Sequence, residues 1–167
     1  MFDFDRFIDR KDTFSAKWDR FGDDVLPLWV ADMDFASPPE ITESMRERLE
    51  HPIYGYESAH PEVLESICNW LAERHHWQVE PDDILLMTGV VSGFNWVIRT
   101  LVEKTESVVF QTPVYHPFYR IGKNNEVKQE TIPLQFLDGR YTLKIDALEE
   151  SVQDNAQLFL LAIRIIQ

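Results

Sequence analysis

Ile84-Leu-Leu-Met-Thr-Gly-Val-Val-Ser-Gly-Phe-Asn-Trp-Val-Ile-Arg-Thr-Leu-Val102 is the stretch on which the fold turns. The short apolar run at 84–87 reads as a strand and residues 93–102 as a helix, with Thr88, Gly89, Ser92 and Gly93 supplying the small residues of a strand-to-helix turn. Downstream the alternation repeats. Strands are expected at 107–110, 127–132, 140–143 and 158–161, with a short helix at 115–121 and another at 146–152. Asp138-Gly139 is a turn signal leading into the strand at 140–143. Short apolar runs alternating with helices are the mark of βα units and a mostly parallel sheet, so the fold class is α/β.

Upstream of that stretch the pattern is different. Residues 1–38 mix aromatic and acidic side chains without sustained periodicity and lead through Ser37-Pro38-Pro39-Glu40 to a helix expected over 39–50. His51-Pro52-Ile53-Tyr54-Gly55-Tyr56 breaks that helix, and Val63, Leu64, Ile67, Cys68 and Leu71 then recur at helical spacing over 61–75. The expected division is an N-terminal arm with the first helix, 1–50, and a sheet-bearing domain, 51–167. The sequence stops a few residues after its last strand, although parallel strands need crossovers and neighbours, so the sheet is expected to be incomplete.

Composition narrows the function. The 167 residues are 44% hydrophobic and 13% aromatic, enough for a packed core. Twenty-nine acidic against sixteen basic residues give a net charge of -13, which repels nucleic-acid backbones and anionic membrane surfaces. Neither kind of partner is expected. The N-terminus has no signal-peptide pattern, no apolar run reaches membrane-spanning length, and the single Cys68 has no intrachain disulfide partner, so a reducing cytoplasm is the expected compartment. Cys68 lies on the apolar stripe of its helix and reads as a small buried hydrophobe. His75 and His76 are adjacent and do not share a helix face, and no Cys/His/Asp set has metal-site spacing.

Three stretches could carry chemistry. Met87-Thr88-Gly89-Val90-Val91-Ser92-Gly93 lies where open α/β sheets bind ligands, and the start of the following helix suits an anion such as a phosphate. A turn that needs glycine only for its backbone angles satisfies the same residues. Gln111-Thr112-Pro113-Val114-Tyr115-His116-Pro117-Phe118-Tyr119 follows the next strand and belongs on the same sheet edge, where a ring can stack on a planar heterocycle or simply pack the loop. Pro27-Leu28-Trp29-Val30-Ala31-Asp32-Met33-Asp34-Phe35 reads either as the lining of a substrate entrance or as an arm that docks on the core or on a second subunit.

Taken together, Leu26-Pro-Leu-Trp-Val-Ala-Asp-Met-Asp-Phe35, Tyr54-Gly-Tyr56, Thr88-Gly-Val-Val-Ser92 and Thr112-Pro-Val-Tyr-His-Pro-Phe-Tyr119 resemble, in order and spacing, the cystathionine β-lyase (carbon–sulfur lyase) branch of the fold-type-I pyridoxal-phosphate (PLP) enzymes, relatives of the class I/II aminotransferases. The resemblance implies the first part of a fold-type-I sheet, PLP as cofactor, a thioether amino acid as substrate, a homodimer, and α,β-elimination that releases thiol, pyruvate and ammonia. It assigns Gly89, Val90 and Val91 to the PLP phosphate and Tyr115 to stacking on the pyridine. It assigns Tyr56 to the neighbouring subunit's phosphate, places Ala31 and Asp32 beside the substrate, and leaves Trp29 structural.

The same resemblance implies a lysine that bonds covalently to PLP. Lys11, Lys17, Lys104, Lys123, Lys128 and Lys144 are the lysines here, and none stands in the family's Ser-x-x-Lys setting. The chain by itself is therefore expected to be an inactive lyase segment, the alternatives being a non-enzymatic fragment that docks on an intact relative, or an aminotransferase. Where the family continues with a motif such as Cys-Asn-Pro-His-Asn-Pro, this chain reads Ala162-Ile-Arg-Ile-Ile-Gln167. TGC AAT CCG CAT AAT CCA with its first T lost and a following purine encodes that tail, so a one-nucleotide frame shift at 162–167 is expected. The apolar faces of the helix at 93–102 are expected to leave exposed surface and poor solubility.

Overall fold

The computed structural model describes residues 3–153 and 155–163, so the tail at 164–167, with most of the expected frame shift, lies outside the described residues. Two compact units divide at the end of the Tyr56-Glu57-Ser58 segment: Met1–Ser58 and Ala59–Gln167.

Among the described residues, the first unit has one regular element, α1 (Pro39–Glu50). Proline in the first turn starts it, because the ring fixes φ and removes an N–H that would have no helical acceptor there. No residue of α1 is buried, and Ile41, Met45 and Leu49 form an exposed stripe at four-residue spacing. The rest of the described residues in this unit are irregular chain.

The second unit opens with α2 (Pro61–His75), again started by proline and closed by His76 in the left-handed conformation. Cys68 is half-buried on it. Then come a 3-10 turn at Pro81–Asp83, α3 (Val90–Leu101) and β1 (Ser107–Thr112). A second 3-10 turn (His116–Arg120) runs into α4 (Ile121–Asn125), followed by β2 (Lys128–Pro133). The hairpin β3 (Gln135–Leu137) and β4 (Arg140–Thr142) leads to α5 (Ile145–Gln153) and β5 (Ala156–Leu160).

β1 is the central strand of a three-stranded sheet in the order β2-β1-β5, and both of its pairings are parallel. Its alternating residues face two layers. Val108 and Phe110 join Phe94, Ile98 and Val102 from α3 with Ile121 and Val127 in the buried cluster. Each such side chain contributes about 1.5–3 kcal/mol on leaving water. Val109 and Gln111 lie on the other side of the strand, also buried, and α5 packs against β2 and β5. The architecture is the mixed α/β, mostly parallel one expected.

Differences from the sequence reading have physical causes. Residues 84–87 form no strand: Ile84 is extended, but a strand exists through its ladder partners and none is present among the described residues. Leu85 is consequently 87% exposed. α3 starts three residues before the expected 93, because Gly89 stops the extended chain and Val90, Val91 and Ser92 take up the first turn. Residues 140–143 do not extend the parallel sheet. They pair with β3 through Asp138 (φ 49°) and Gly139 (φ 77°), two consecutive left-handed residues that close a tight antiparallel hairpin.

Candidate functional site

Gly89 sets the geometry of the phosphate candidate. Its φ of 138° and ψ of 158° are open to glycine and strained for any residue with a Cβ. Space is not the reason for glycine, since a Cβ built there meets nothing within 4 Å. The first helical bond of α3 runs from the Gly93 N–H to the Gly89 carbonyl at 2.8 Å. Ahead of it, the N–H groups of Val90, Val91 and Ser92 have no acceptor within the helix, and no side chain caps them. Free backbone donors at the positive end of a helix dipole are an arrangement that suits an anion. Val90 is 82% exposed and Val91 39%, so the approach is open.

Tyr115 stands at the same end of the layer. α3 runs down to the turn at 103–106 and β1 runs back up, which returns the chain after Thr112 to the side on which α3 begins. Packing ties the two loops together: the Phe94 ring, in the second turn of α3, lies 5.1 Å from Phe118, and Phe118 lies 5.8 Å from Phe110. Tyr115 caps the 3-10 turn, accepting the Phe118 N–H at 3.1 Å, and its ring meets His116 edge-on at 4.7 Å while remaining 48% exposed. A half-exposed aromatic face at the end of the layer where a helix offers free N–H groups suits a flat, phosphorylated heterocycle. α3 and α4 are locked beneath by Asn125, whose Nδ2 donates to Asn95 at 2.7 Å and whose Oδ1 accepts from Arg99 at 3.0 Å.

The other assigned residues belong to the first unit. Ala31 is exposed, and Tyr56 is fully so. The Asp32 carboxylate is paired with Arg10 Nη2 at 2.7 Å and is 39% exposed. Trp29 lies under the Arg20 guanidinium, 4.7 Å from the ring centroid, and meets Phe21 edge-on.

One residue of that stretch carries more than the sequence reading gave it. Asp34 accepts from Arg10 Nη1 at 2.6 Å, Lys17 Nζ at 2.6 Å and Trp18 Nε1 at 2.7 Å. Hydrogen bonds from Lys17 and Trp18, with a further one from Arg10, hold its carboxyl far below the usual carboxylate range. Bonds to Asp32 and Asp34 in turn raise the Arg10 value. No local spacing announces this hub, because its donors lie 16 to 24 residues away.

Residues 23–163 match a family model described as aminotransferase class I and II. Over 164 residues the chain is 38% identical to cystathionine beta-lyase PatB of Bacillus subtilis (strain 168), a match that covers 95% of this chain and 42% of that protein. Among solved structures, cystalysin from Treponema denticola, which contains a pyridoxal 5'-phosphate cofactor, is similar with a TM-score of 0.86 and 33% identity over 95% of this chain and 42% of that one. The PLP-bound C-S lyase from Staphylococcus hominis gives a TM-score of 0.86 at 26% identity, covering 96% of this chain and 42% of that one. The chain spans about 42% of the length of these relatives.

Proposed function

The chain belongs to the class I and II aminotransferase family, and we propose that it is the phosphate-holding and ring-stacking part of a PLP-dependent carbon–sulfur β-lyase of the cystathionine β-lyase type. The observation that carries this reading is the uncapped start of α3 behind Gly89, with the half-exposed Tyr115 ring on the loop that returns to the same end of the layer. The donor set fits PLP: backbone N–H groups match a phosphate, and Tyr115 matches a pyridine ring. Its relatives, a cystathionine β-lyase and PLP-containing C-S lyases, favour the same chemistry.

Under this reading, Gly89 holds the turn open while the N–H groups of Val90 and Val91 bind the phosphate and fix one end of the cofactor. Tyr115 covers the ring face and keeps water from it. Ala31 and Asp32 face the substrate, a thioether amino acid, and Tyr56 reaches the phosphate of a second subunit in a homodimer. When bound, PLP supplies the electron sink at the substrate's α-carbon that lets the β-thiolate leave.

Proton removal at that carbon requires a free amine. None of Lys11, Lys17, Lys104, Lys123, Lys128 and Lys144 stands in the family's Ser-x-x-Lys setting. These 167 residues by themselves therefore bind cofactor noncovalently and do not turn over.

The test is titration with pyridoxine 5'-phosphate and with pyridoxine, followed by amide NMR of the chain. Binding is expected to weaken about tenfold in Gly89→Ala, about 1.4 kcal/mol, and by more than that when the ligand lacks its phosphate. Equal affinity for pyridoxine with and without phosphate would sink the phosphate-site reading, and pyruvate released from L-cystathionine by the chain with PLP would sink the lysine reading.

A further inference from the structure

We infer that Asp34 is a positioning residue: by gathering Arg10, Lys17 and Trp18 onto one carboxylate, it fixes the backbone at Ala31 and Asp32 and so sets the affinity for the substrate amino acid without touching it. The inference rests on the reading, proposed above, that Ala31 and Asp32 face that substrate.

Residues 29–35 belong to no helix or ladder, and among the described residues they form no backbone–backbone hydrogen bond. Side chains must define their path instead. The two cations that converge on Asp34 are the ones that reach this backbone: Lys17 Nζ donates to the Asp32 carbonyl at 2.9 Å and Arg10 Nη1 to the Met33 carbonyl at 3.3 Å. Arg10 Nη2 pairs with the Asp32 carboxylate at 2.7 Å and also donates to Ser15 Oγ at 3.2 Å.

Asp34 is what keeps both cations in place. Its Oδ2 faces Lys17, whose side chain is 9% exposed, and its Oδ1 takes Arg10 and Trp18. A buried ammonium needs a counter-charge, and the carboxylate is the charged partner that the structure gives Lys17. An amide at position 34 keeps the shape and loses that compensation.

The two acids of the Ala-Asp-Met-Asp run thus divide the work. Asp34 receives three donors from three residues, whereas Asp32 has one cation on its carboxylate, although the two side chains are about equally exposed at 37% and 39%. The fixed acid orients, and the freer acid is left for the ligand.

Amide spectra of the full 167-residue chain, titrated with L-cystathionine, test this. In the unsubstituted chain the ligand should shift the Ala31 and Asp32 amides. Asp34→Asn should raise the dissociation constant about tenfold and speed hydrogen exchange at both amides. Trp18→Phe removes one donor and keeps both ion pairs, so it should raise the constant about threefold. Asp34→Glu, which restores the charge, should recover part of the loss. Both loss-of-contact variants should bind pyridoxine 5'-phosphate as before.

If Asp34→Asn binds L-cystathionine normally while exchange quickens, the positioning role is wrong and the substrate-facing reading stands. If L-cystathionine moves neither amide in the unsubstituted chain, that reading falls and takes the inference with it. Should Asp34→Asn fail to fold, Trp18→Phe decides, and normal affinity in it overturns the role.

Discussion

The two units are held together by opposite means. In Ala59–Gln167 the organising contacts are apolar: Ile98, Val108, Phe110 and Ile121 are fully buried around one strand, and charged groups stay outside. Among the described residues of Met1–Ser58 the buried groups are Lys17 and Pro27, and four charged side chains with one indole do the organising. Apolar burial is insensitive to direction, so the layered unit tolerates changes that preserve volume. An ion-paired hub is directional, so the arm has one geometry while its charges persist and little to fall back on without them.

Removing the Phe110 ring should give the largest break in this contrast. Phe110→Ala empties the centre of the sheet's buried face and should cost about 3–5 kcal/mol in urea unfolding. The Trp18 indole resonance should keep its position if the arm is held by its own contacts.

Gly122→Ala comes next. A Cβ there would sit 2.9 Å from the Val127 carbonyl and 3.0 Å from Gln129 Oε1, which already accepts the Gly122 N–H at 2.8 Å. Overpacking of that kind should cost about 1–3 kcal/mol, again visible in the layered unit alone.

Acid should have the smallest effect and should reverse the pattern. Asp34 has a folded-state value lowered below that of the unfolded chain, so its contribution is complete above the unfolded value near about 4 and declines as pH falls toward the folded one. Exchange of the Trp18 indole proton should quicken below that pH in the native chain and should show no such step in Asp34→Asn. Glu126 and Glu130 are also lowered, by Lys104 and by Lys128 respectively, so the layered unit should lose some stability in the same direction.

Much of this was legible in the amino-acid order, and the exceptions share a cause. α1 and α2 carry proline at their starts and lie where the sequence pattern places their approximate bounds, as local signals should. Gly89 and Tyr115 could be singled out because each lies beside a strand or helix end that the apolar pattern marks. The strand at 84–87 and the three-residue β3 could not be judged correctly, since whether extended chain becomes a strand depends on a partner elsewhere. Asp34 was hidden for the same reason: Arg10 and Lys17 reach it from 24 and 17 residues away, and no periodicity encodes a meeting at that range.

The central position of β1 also has a kinetic meaning. Ser107 meets Lys128 across 21 residues and Ala156 across 49. Closing the second loop costs roughly 0.7 kcal/mol more chain entropy than closing the first. A chain emerging from the ribosome completes the β1–β2 pair, with α4 packed between them in sequence, before β5 has been made. The β5 side of β1 therefore waits as an open edge during synthesis, and the rate at which β5 arrives sets how long that edge is available to other chains.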